Sequence, residues 1–88
     1  MLFRSKYSPH AMTDHRLDIT RDVCPMTFVK TKLLLERMKA GETVEIRLTG
    51  EEPLANVPRS VAEHGHHIVS CVPEADGSPV HLLVVRKG

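Results

Sequence analysis

The feature that most constrains this chain is a change of hydrophobic period across Cys24-Pro25. Residues 16–20 alternate between apolar and polar side chains, with Leu17 and Ile19 on one face, which predicts a short half-buried strand. After Pro25 the apolar residues recur at helical spacing. Proline has no N–H and holds φ near the helical value, so it suits the first helical position. The pattern therefore predicts a strand, a brief loop and a helix that starts beside the cysteine.

Cys24 is the candidate catalytic residue, and we predict it at the N-cap of a helix over residues 25–40. There the free N–H groups of the first turn and the positive end of the helix dipole favour thiolate over thiol. A free cysteine titrates near ~8.5, and a helix N-terminus can lower that pKa below neutrality. The alternative is a buried, inert cysteine, which is what we expect of Cys71 in the middle of a later strand.

The helix after Pro25 carries two apolar stripes. The stripe predicted to face the core contains Phe28, Thr31, Leu34, Leu35 and Met38. A narrower stripe beside the cysteine contains Met26, Val29 and Leu33. Exposed apolar residues next to a reactive thiol indicate a docking surface, and our candidate docking residues are Val29, Lys30, Leu33 and Arg37. The alternatives are that the arm or loops cover this stripe and that the basic residues form a solvated face.

The rest of the chain predicts three strands and one more helix. Residues 43–49 alternate as a strand with one buried face, and residues 53–64 form a helix that Gly65 ends. Pro58 either kinks this helix or marks the start of its regular part. Residues 67–73 and 80–87 are strands joined by a hairpin with the Asp76-Gly77 signal, and the last is apolar on both faces, as an inner strand is.

The order β-α-β-α-β-β predicts an α+β fold, a two-layer sandwich with two helices on one face of a four-stranded mixed sheet. Right-handed β-α-β crossovers place both helices on the same side. Residues 16–88 form the one domain that 88 residues allow. Residues 1–15 show no periodicity, and we expect a disordered N-terminal arm.

Charge and cysteine usage limit the partners. The net charge of +1 comes from scattered Lys and Arg among Glu and Asp, which gives no electrostatic footprint for nucleic acid or an anionic membrane. No apolar run approaches the ~18–20 residues that span a bilayer, and the first residues lack the apolar core of a secretory signal. Two cysteines do not make a disulfide framework, so we infer a reducing cytoplasm.

Three histidines lie close together in the sequence before Cys71, at positions 64, 66 and 67. This spacing could suggest a metal site. A helix end, Gly65 and a strand start intervene, however, so the side chains should diverge. We interpret them as solvated turn histidines and predict no metal.

In their order and spacing these motifs resemble the bacterial TusA/SirA family of small sulfur-carrier proteins, over residues 17–88. The marks are Leu17-Asp18 in the first strand, Cys24-Pro25 opening the helix, Gly41-Glu42 before the second strand, Glu52-Pro53 where the family often has Asp-Pro, and Asp76-Gly77 with a closing Arg86-Lys87-Gly88. The family motif is Cys-Pro-x-Pro, and here Thr27 replaces the second proline. Arg21-Asp22 stands where the family usually has a glycine.

The resemblance implies sulfur relay. Cys24 would take sulfane sulfur as a persulfide from a cysteine desulfurase or rhodanese-type donor and pass it to a downstream acceptor protein. Pro25, Met26 and Thr27 would complete the motif at the helix N-terminus, and no cofactor or metal is implied. The protein would be a cytoplasmic monomer, and more a carrier substrate of its partners than a multiple-turnover sulfurtransferase.

Thr27 offers an N–H that a proline would lack, within capping reach of the residue 24 side chain. We therefore predict that it adds a hydrogen bond to the Cys24 thiolate or persulfide.

Two other function classes stay open from the sequence. One is a non-catalytic regulatory or RNA-interacting module on the same fold, against which the near-zero charge and only three aromatic residues argue. The other is a thiol redox or peroxide-sensing protein that uses Cys24 and Cys71. Alkylation of the cysteines distinguishes the three function classes. The sulfur carrier needs only Cys24 for its function, the regulatory or RNA-interacting module needs neither cysteine, and the redox protein needs both.

Overall fold

The computed structural model describes residues 13–23 and 25–88. Its elements are β1 His15–Asp18, α1 Met26–Arg37, β2 Thr43–Thr49, α2 Glu51–Glu63, β3 His67–Pro73 and β4 Val80–Arg86. The strands lie in the order β1-β2-β4-β3, with β1 parallel to β2 and β4 antiparallel to both of its neighbours. This confirms the predicted α+β sandwich with a mixed four-stranded sheet, and β4 is an inner strand as its apolar faces indicate.

The core lies between one face of the sheet and both helices. The fully buried side chains of β2 and β4 are Val44, Ile46, Leu48, Leu83 and Val85. Helix α1 adds Leu35 to the same cluster, and α2 adds Val57 and Val61. Because both helices contribute to one cluster, they pack on the same face of the sheet, as predicted.

The predicted core stripe of α1 is confirmed for Thr31, Leu35 and Met38, which are buried. Phe28 and Leu34 of that stripe are only half-buried, and Thr27, which was not part of it, is buried. The Thr31 hydroxyl donates to the Thr27 carbonyl oxygen at 2.8 Å, so its polar group is satisfied inside the core. Phe28 instead packs against the ring of His64 at the end of α2, with ring centroids 5.7 Å apart.

Helix α1 ends at Arg37, before the predicted end at residue 40. Met38 is extended, and the Lys87 ammonium donates to the carbonyl oxygens of Leu35 and Met38. The Leu35 carbonyl oxygen also accepts from the Met38 N–H at 3.2 Å, and the Met38 carbonyl lies past the last turn, where a helix leaves carbonyls without intrahelical partners. A lysine close to the C-terminal end of the chain therefore closes α1, and Gly41, with φ +91°, forms the turn that follows.

Helix α2 begins earlier than predicted, at Glu51, and continues through Pro58 to Glu63. The alternative in which the regular helix starts at Pro58 is therefore wrong. The first turn closes through the Leu54 N–H, which donates to the Gly50 carbonyl oxygen at 3.1 Å.

Strand β1 also begins earlier than predicted. His15 pairs with Val44, and the Asp14 N–H donates to the Thr43 carbonyl oxygen at 3.1 Å. The strand thus takes in part of the segment assigned to the arm. The remainder of that predicted arm, residues 1–12, lies outside the described residues.

Candidate functional site

The candidate site lies in the loop that joins β1 to α1. The loop leaves the sheet at Ile19, which is 1% exposed and whose N–H donates to the Arg47 carbonyl oxygen at 2.9 Å. The Asp18 carboxylate then accepts from the Thr20 N–H at 2.9 Å and from the Thr20 hydroxyl at 2.7 Å, which closes a tight turn. The loop therefore starts from a fixed, buried point of the fold.

Cys24 itself lies outside the described residues, so the pKa and exposure of its thiol stay predictions. Its neighbours are described: Pro25 is exposed, and Val23 is 73% exposed. The Met26 N–H donates to the Val23 carbonyl oxygen at 2.7 Å across residue 24. The chain on both sides of the cysteine is thus at the protein surface.

The helix starts one residue later than predicted, at Met26. Pro25, with φ −94° and ψ 4°, occupies the N-cap position that we predicted for Cys24, and it forms no side-chain capping hydrogen bond. The Val29 N–H donates to the Pro25 carbonyl oxygen at 3.0 Å, as the first helical bond requires. The free N–H groups of the first turn remain at the end of the helix that follows the cysteine.

Exposed apolar side chains run from the loop along α1. This apolar ridge consists of Val23, Met26, Val29 and Leu33, which are 73%, 43%, 36% and 55% exposed. The predicted second stripe of the helix is therefore at the surface, as a docking surface requires. Docking itself stays a prediction for Val29, Lys30, Leu33 and Arg37, of which Arg37 is exposed in the last turn of α1.

Lys30 is held against the loop. Its ammonium lies 2.8 Å from the Asp22 carboxylate, two residues before the cysteine. The sequence indicated a solvated or partner-facing lysine and gave no sign of this pair. Residues eight apart, one of them in a loop, follow no helical spacing rule, so the contact depends on how the loop folds.

Thr27 contributes to the site only through its backbone. Its side chain is 2% exposed and lies in the core, which no sequence pattern indicated. The predicted hydrogen bond to Cys24 would come from the Thr27 N–H, and it stays a prediction because Cys24 is outside the described residues.

A charged network that the sequence did not predict fixes the end of β1. The Arg47 guanidinium donates to the Asp18 carboxylate at 2.7 Å and to both oxygens of the Glu74 carboxylate, at 2.7 and 3.0 Å. Hydrogen bonds from the Thr20 hydroxyl and N–H, and then from Arg47, lower the pKa of Asp18 to about 2. The hydrogen bond from Arg47 also lowers the pKa of Glu74.

These groups surround a polar cleft of about 440 Å³ beside the loop. The cleft is lined by Asp18, Thr20, Arg21, Asp22, Lys30 and Arg47. It contains three cations and two carboxylates, so the surroundings of the loop are of mixed charge.

Cys71 lies far from this loop in the sheet. Leu17, Ile46, Leu83 and Cys71 are paired in one row across the four strands, which puts Cys71 about 14 Å from Leu17. Cys71 is exposed on the edge strand β3, and partial burial raises the pKa of its thiol. A thiol with a raised pKa is a weaker thiolate source at neutral pH.

Two of the three histidines, His64 and His66, have separate hydrogen-bond partners. The Nδ1 atom of His64 lies 2.7 Å from the Ser60 carbonyl oxygen, and the Nδ1 atom of His66 accepts from the Gly88 N–H at 3.1 Å. Burial, and then the nearby Lys87, lowers the pKa of His66. Within residues 13–23 and 25–88 no three His, Cys, Asp or Glu side chains are grouped to hold a metal ion.

The longest described helix, α2, has 13 residues. Across the part of the chain that the structure describes, no helix has the length and apolar character needed to cross a membrane.

Comparison with known proteins gives consistent matches over this domain. A family model described as sulfurtransferase TusA matches residues 15–87. A protein of Archaeoglobus fulgidus, named as an inferred sulfur carrier protein, is 48% identical over 71 residues, which are 81% of this chain and 78% of that protein. The YedF protein of Escherichia coli strain K12, also named as an inferred sulfur carrier, is 27% identical over 73 residues, 83% of this chain and 92% of that one.

Among solved structures, a SirA-like protein of Desulfitobacterium hafniense superposes with a TM-score of 0.71 and 20% identity. The match covers 84% of this chain and 97% of that protein. At this identity the likeness shows the fold alone.

Proposed function

Because the chain belongs to the sulfurtransferase TusA family, we propose that it is a sulfur carrier in which Cys24 holds sulfane sulfur as a persulfide. The sulfur comes from a cysteine desulfurase or rhodanese-type donor and goes to an acceptor protein. The observation that carries the proposal is the family match over residues 15–87, which spans a cysteine directly before the exposed start of α1.

The transfer is an exchange between thiolate and persulfide. The Cys24 thiolate attacks the outer sulfur of the donor persulfide, the Cys24–sulfur bond forms, and the donor's sulfur–sulfur bond breaks to release the donor thiolate. The acceptor thiolate then attacks the outer sulfur on Cys24 in the same way and regenerates the Cys24 thiolate. Each step moves one sulfur atom between thiolates, so neither an oxidant nor a metal is required.

The described residues support this chemistry by exposure and by charge. Val23 and Pro25 lie at the surface, so a partner can approach the chain on both sides of the cysteine. The first N–H groups of α1 have no intrahelical partners, and such a helix N-terminus favours an anionic sulfur. Pro25 and Met26 thus act by placing the start of the helix next to Cys24, and Thr27 adds a backbone N–H.

The apolar ridge is the proposed docking surface for donor and acceptor alike. Its exposed residues recur every three or four positions from Val23, next to the cysteine, to Leu33 on α1. Both partners must bring a sulfur atom to the same thiol, so they would use the same ridge in turn and exclude each other. Arg37 at the far end would meet an acidic rim on the partner.

The redox alternative gains no support from the structure, because Cys71 lies on the sheet edge opposite β1 and the pKa of its thiol is raised. A carrier thiol of this kind persists in a reducing compartment, and we place the protein in the cytoplasm as a monomer.

Intact-mass measurement tests the proposal. The protein is incubated with a cysteine desulfurase and cysteine, in parallel with Cys24→Ser and Cys71→Ser. We expect wild type and Cys71→Ser to gain one sulfur atom that a reductant removes, and Cys24→Ser to gain none. Equal gain in Cys24→Ser, or no gain in wild type with desulfurase and rhodanese-type donors, would contradict the proposal.

A further inference from the structure

The Asp22–Lys30 ion pair joins residues on either side of Cys24 in the sequence. Asp22 lies two residues before Cys24 and Lys30 six residues after it, and their charged atoms are 2.8 Å apart. The pair joins the loop to the second turn of α1, so the chain from Asp22 to Lys30 forms a closed loop. Cys24 belongs to that loop.

Asp22 is close to Cys24 along the chain. Consecutive Cα atoms are 3.80 Å apart, so the Cα atoms of residues 22 and 24 are separated by at most about 7.6 Å. The screening length in physiological salt is about 8–10 Å, so charges on the side chains of residues this close in the chain are only partly screened from each other. An unpaired carboxylate there would disfavour the Cys24 thiolate, and the Lys30 ammonium offsets that charge.

Among the other charges around the loop, Asp18 and Arg47 are paired and, within the described residues, Arg21 is not. Asp18 of β1 pairs with Arg47 of β2, which also pairs with Glu74. Arg21 forms no ion pair with another described residue, and it is retained in every variant of the test below, so it does not account for a difference between them. On α1, the nearest comparable lysine is Lys32, whose ammonium lies 3.6 Å from Glu36 on the helix itself.

We propose that Lys30 is a positioning residue for sulfur transfer: through its ion pair with Asp22 it holds the Cys24 loop and keeps the thiol in its reactive, deprotonated form. The inference rests on the proposed function only in taking Cys24 as the sulfur-carrying thiol. Lys30 would then act on the cysteine loop of its own chain. Its position beside the apolar ridge, taken by itself, suggests instead that it contacts a partner protein.

The test is the pH dependence of Cys24 alkylation by iodoacetamide, measured by mass in a Cys71→Ser background. Lys30→Met leaves Asp22 unpaired and should raise the apparent pKa of Cys24 by about 0.3–1 unit, the range expected for one uncompensated surface charge within the screening length. The matched control is Lys32→Met, which removes the same charge from the same helix without touching the loop. It should leave the pKa within the error of the wild type.

Two further variants separate the carboxylate from the lysine. Asp22→Asn should lower the pKa of Cys24, and Asp22→Asn combined with Lys30→Met should return it close to the wild-type value. Thermal melts confirm that each variant is folded. Equal profiles for Lys30→Met and Lys32→Met, whether both shifted or both unshifted, would overturn the inference.

The outcome is independent of sulfur loading. Iodoacetamide reacts with the thiol whether or not the protein accepts sulfur, so a failed loading experiment with a normal Lys30→Met shift refutes only the proposed function. Normal loading with no Lys30-specific shift refutes only the positioning role.

Discussion

The Arg47 guanidinium lies 2.7 Å from the Asp18 carboxylate, and the two residues are directly paired across β1 and β2. Asp18 also accepts both hydrogen bonds from Thr20 that close the first turn of the loop. The Asp18 carboxylate thus joins the end of β1, the neighbouring strand β2 and the start of the cysteine loop. The loop depends on this anchor for its direction out of the sheet.

The anchor predicts a specific acid sensitivity. The pKa of Asp18 is lowered from 3.8 to about 2, so its ionised form stabilises the fold at pH values above 3.8, and this contribution is lost as the pH falls towards about 2. Asp18→Asn should therefore be less stable than the wild type at neutral pH. Between about pH 4 and about pH 2, its free energy of unfolding should fall less than that of the wild type. Denaturant unfolding at a series of pH values measures both. Parallel losses in the two proteins would contradict the role of Asp18.

Lys87 predicts a long-range contribution to helix stability. Its ammonium donates to the carbonyl oxygens of Leu35 and Met38, so Lys87→Met should lower the free energy of unfolding by about 0.5–1.5 kcal/mol. Lys39→Met is the matched control, because the Lys39 side chain forms no hydrogen bond with another described residue. A loss of the same size in both variants would show a general charge effect.

The apolar ridge predicts a defect in partner binding without a defect in thiol reactivity. Leu33→Asp should slow sulfur loading from a desulfurase about tenfold or more at low donor concentration, since one buried apolar contact at an interface contributes about 1.4 kcal/mol or more. Alkylation of Cys24 by iodoacetamide should be unchanged.

Val69→Asp is the control for Leu33→Asp. Val69 on β3 is 54% exposed and Leu33 is 55% exposed, so the two changes add the same charge at equal exposure on different surfaces. Loading at the wild-type rate in Leu33→Asp, or equal slowing in both, would exclude the ridge as the docking surface.

Thr27 predicts a change in the pKa of Cys24 through its backbone. Thr27→Pro removes one N–H from the first turn of α1, where proline is tolerated. The loss of this donor should raise the pKa of Cys24 by about half a unit. Thr27→Val keeps the N–H and removes the buried hydroxyl, so its pKa profile should match the wild type. The same alkylation titration tests both variants, and no rise in Thr27→Pro would sink the hydrogen-bond prediction.

Local patterns were enough to predict most of the fold. The alternation of Val44, Ile46 and Leu48 located β2 with its observed bounds, and the Asp76-Gly77 signal located the hairpin, where Gly77 has φ +75°. Such signals lie within a few residues of the structure that they determine, so they can be read without knowledge of the rest of the fold.

The missed features all depend on contacts between distant segments. The carbonyl oxygens at the end of α1 accept from Lys87, about fifty residues later, and the anchor depends on the strand register that brings Arg47 opposite Asp18. Thr27 is buried, which no sequence pattern indicated. The Asp22–Lys30 pair likewise requires the loop's three-dimensional course.

The measurement that tests the central claim most directly is a complete cycle of loading and discharge. The Cys71→Ser protein is loaded by a cysteine desulfurase with cysteine, separated from the donor, and mixed with a sulfur-free rhodanese-type protein while intact masses are recorded. The rhodanese-type protein can serve as the acceptor because exchange between thiolate and persulfide runs in both directions. The account predicts that one sulfur atom stays on the isolated carrier, then leaves it and appears on the acceptor, with Cys24→Ser inactive in both steps. A sulfur atom that is never gained at Cys24, or is gained but not released to the acceptor thiol, would contradict the account.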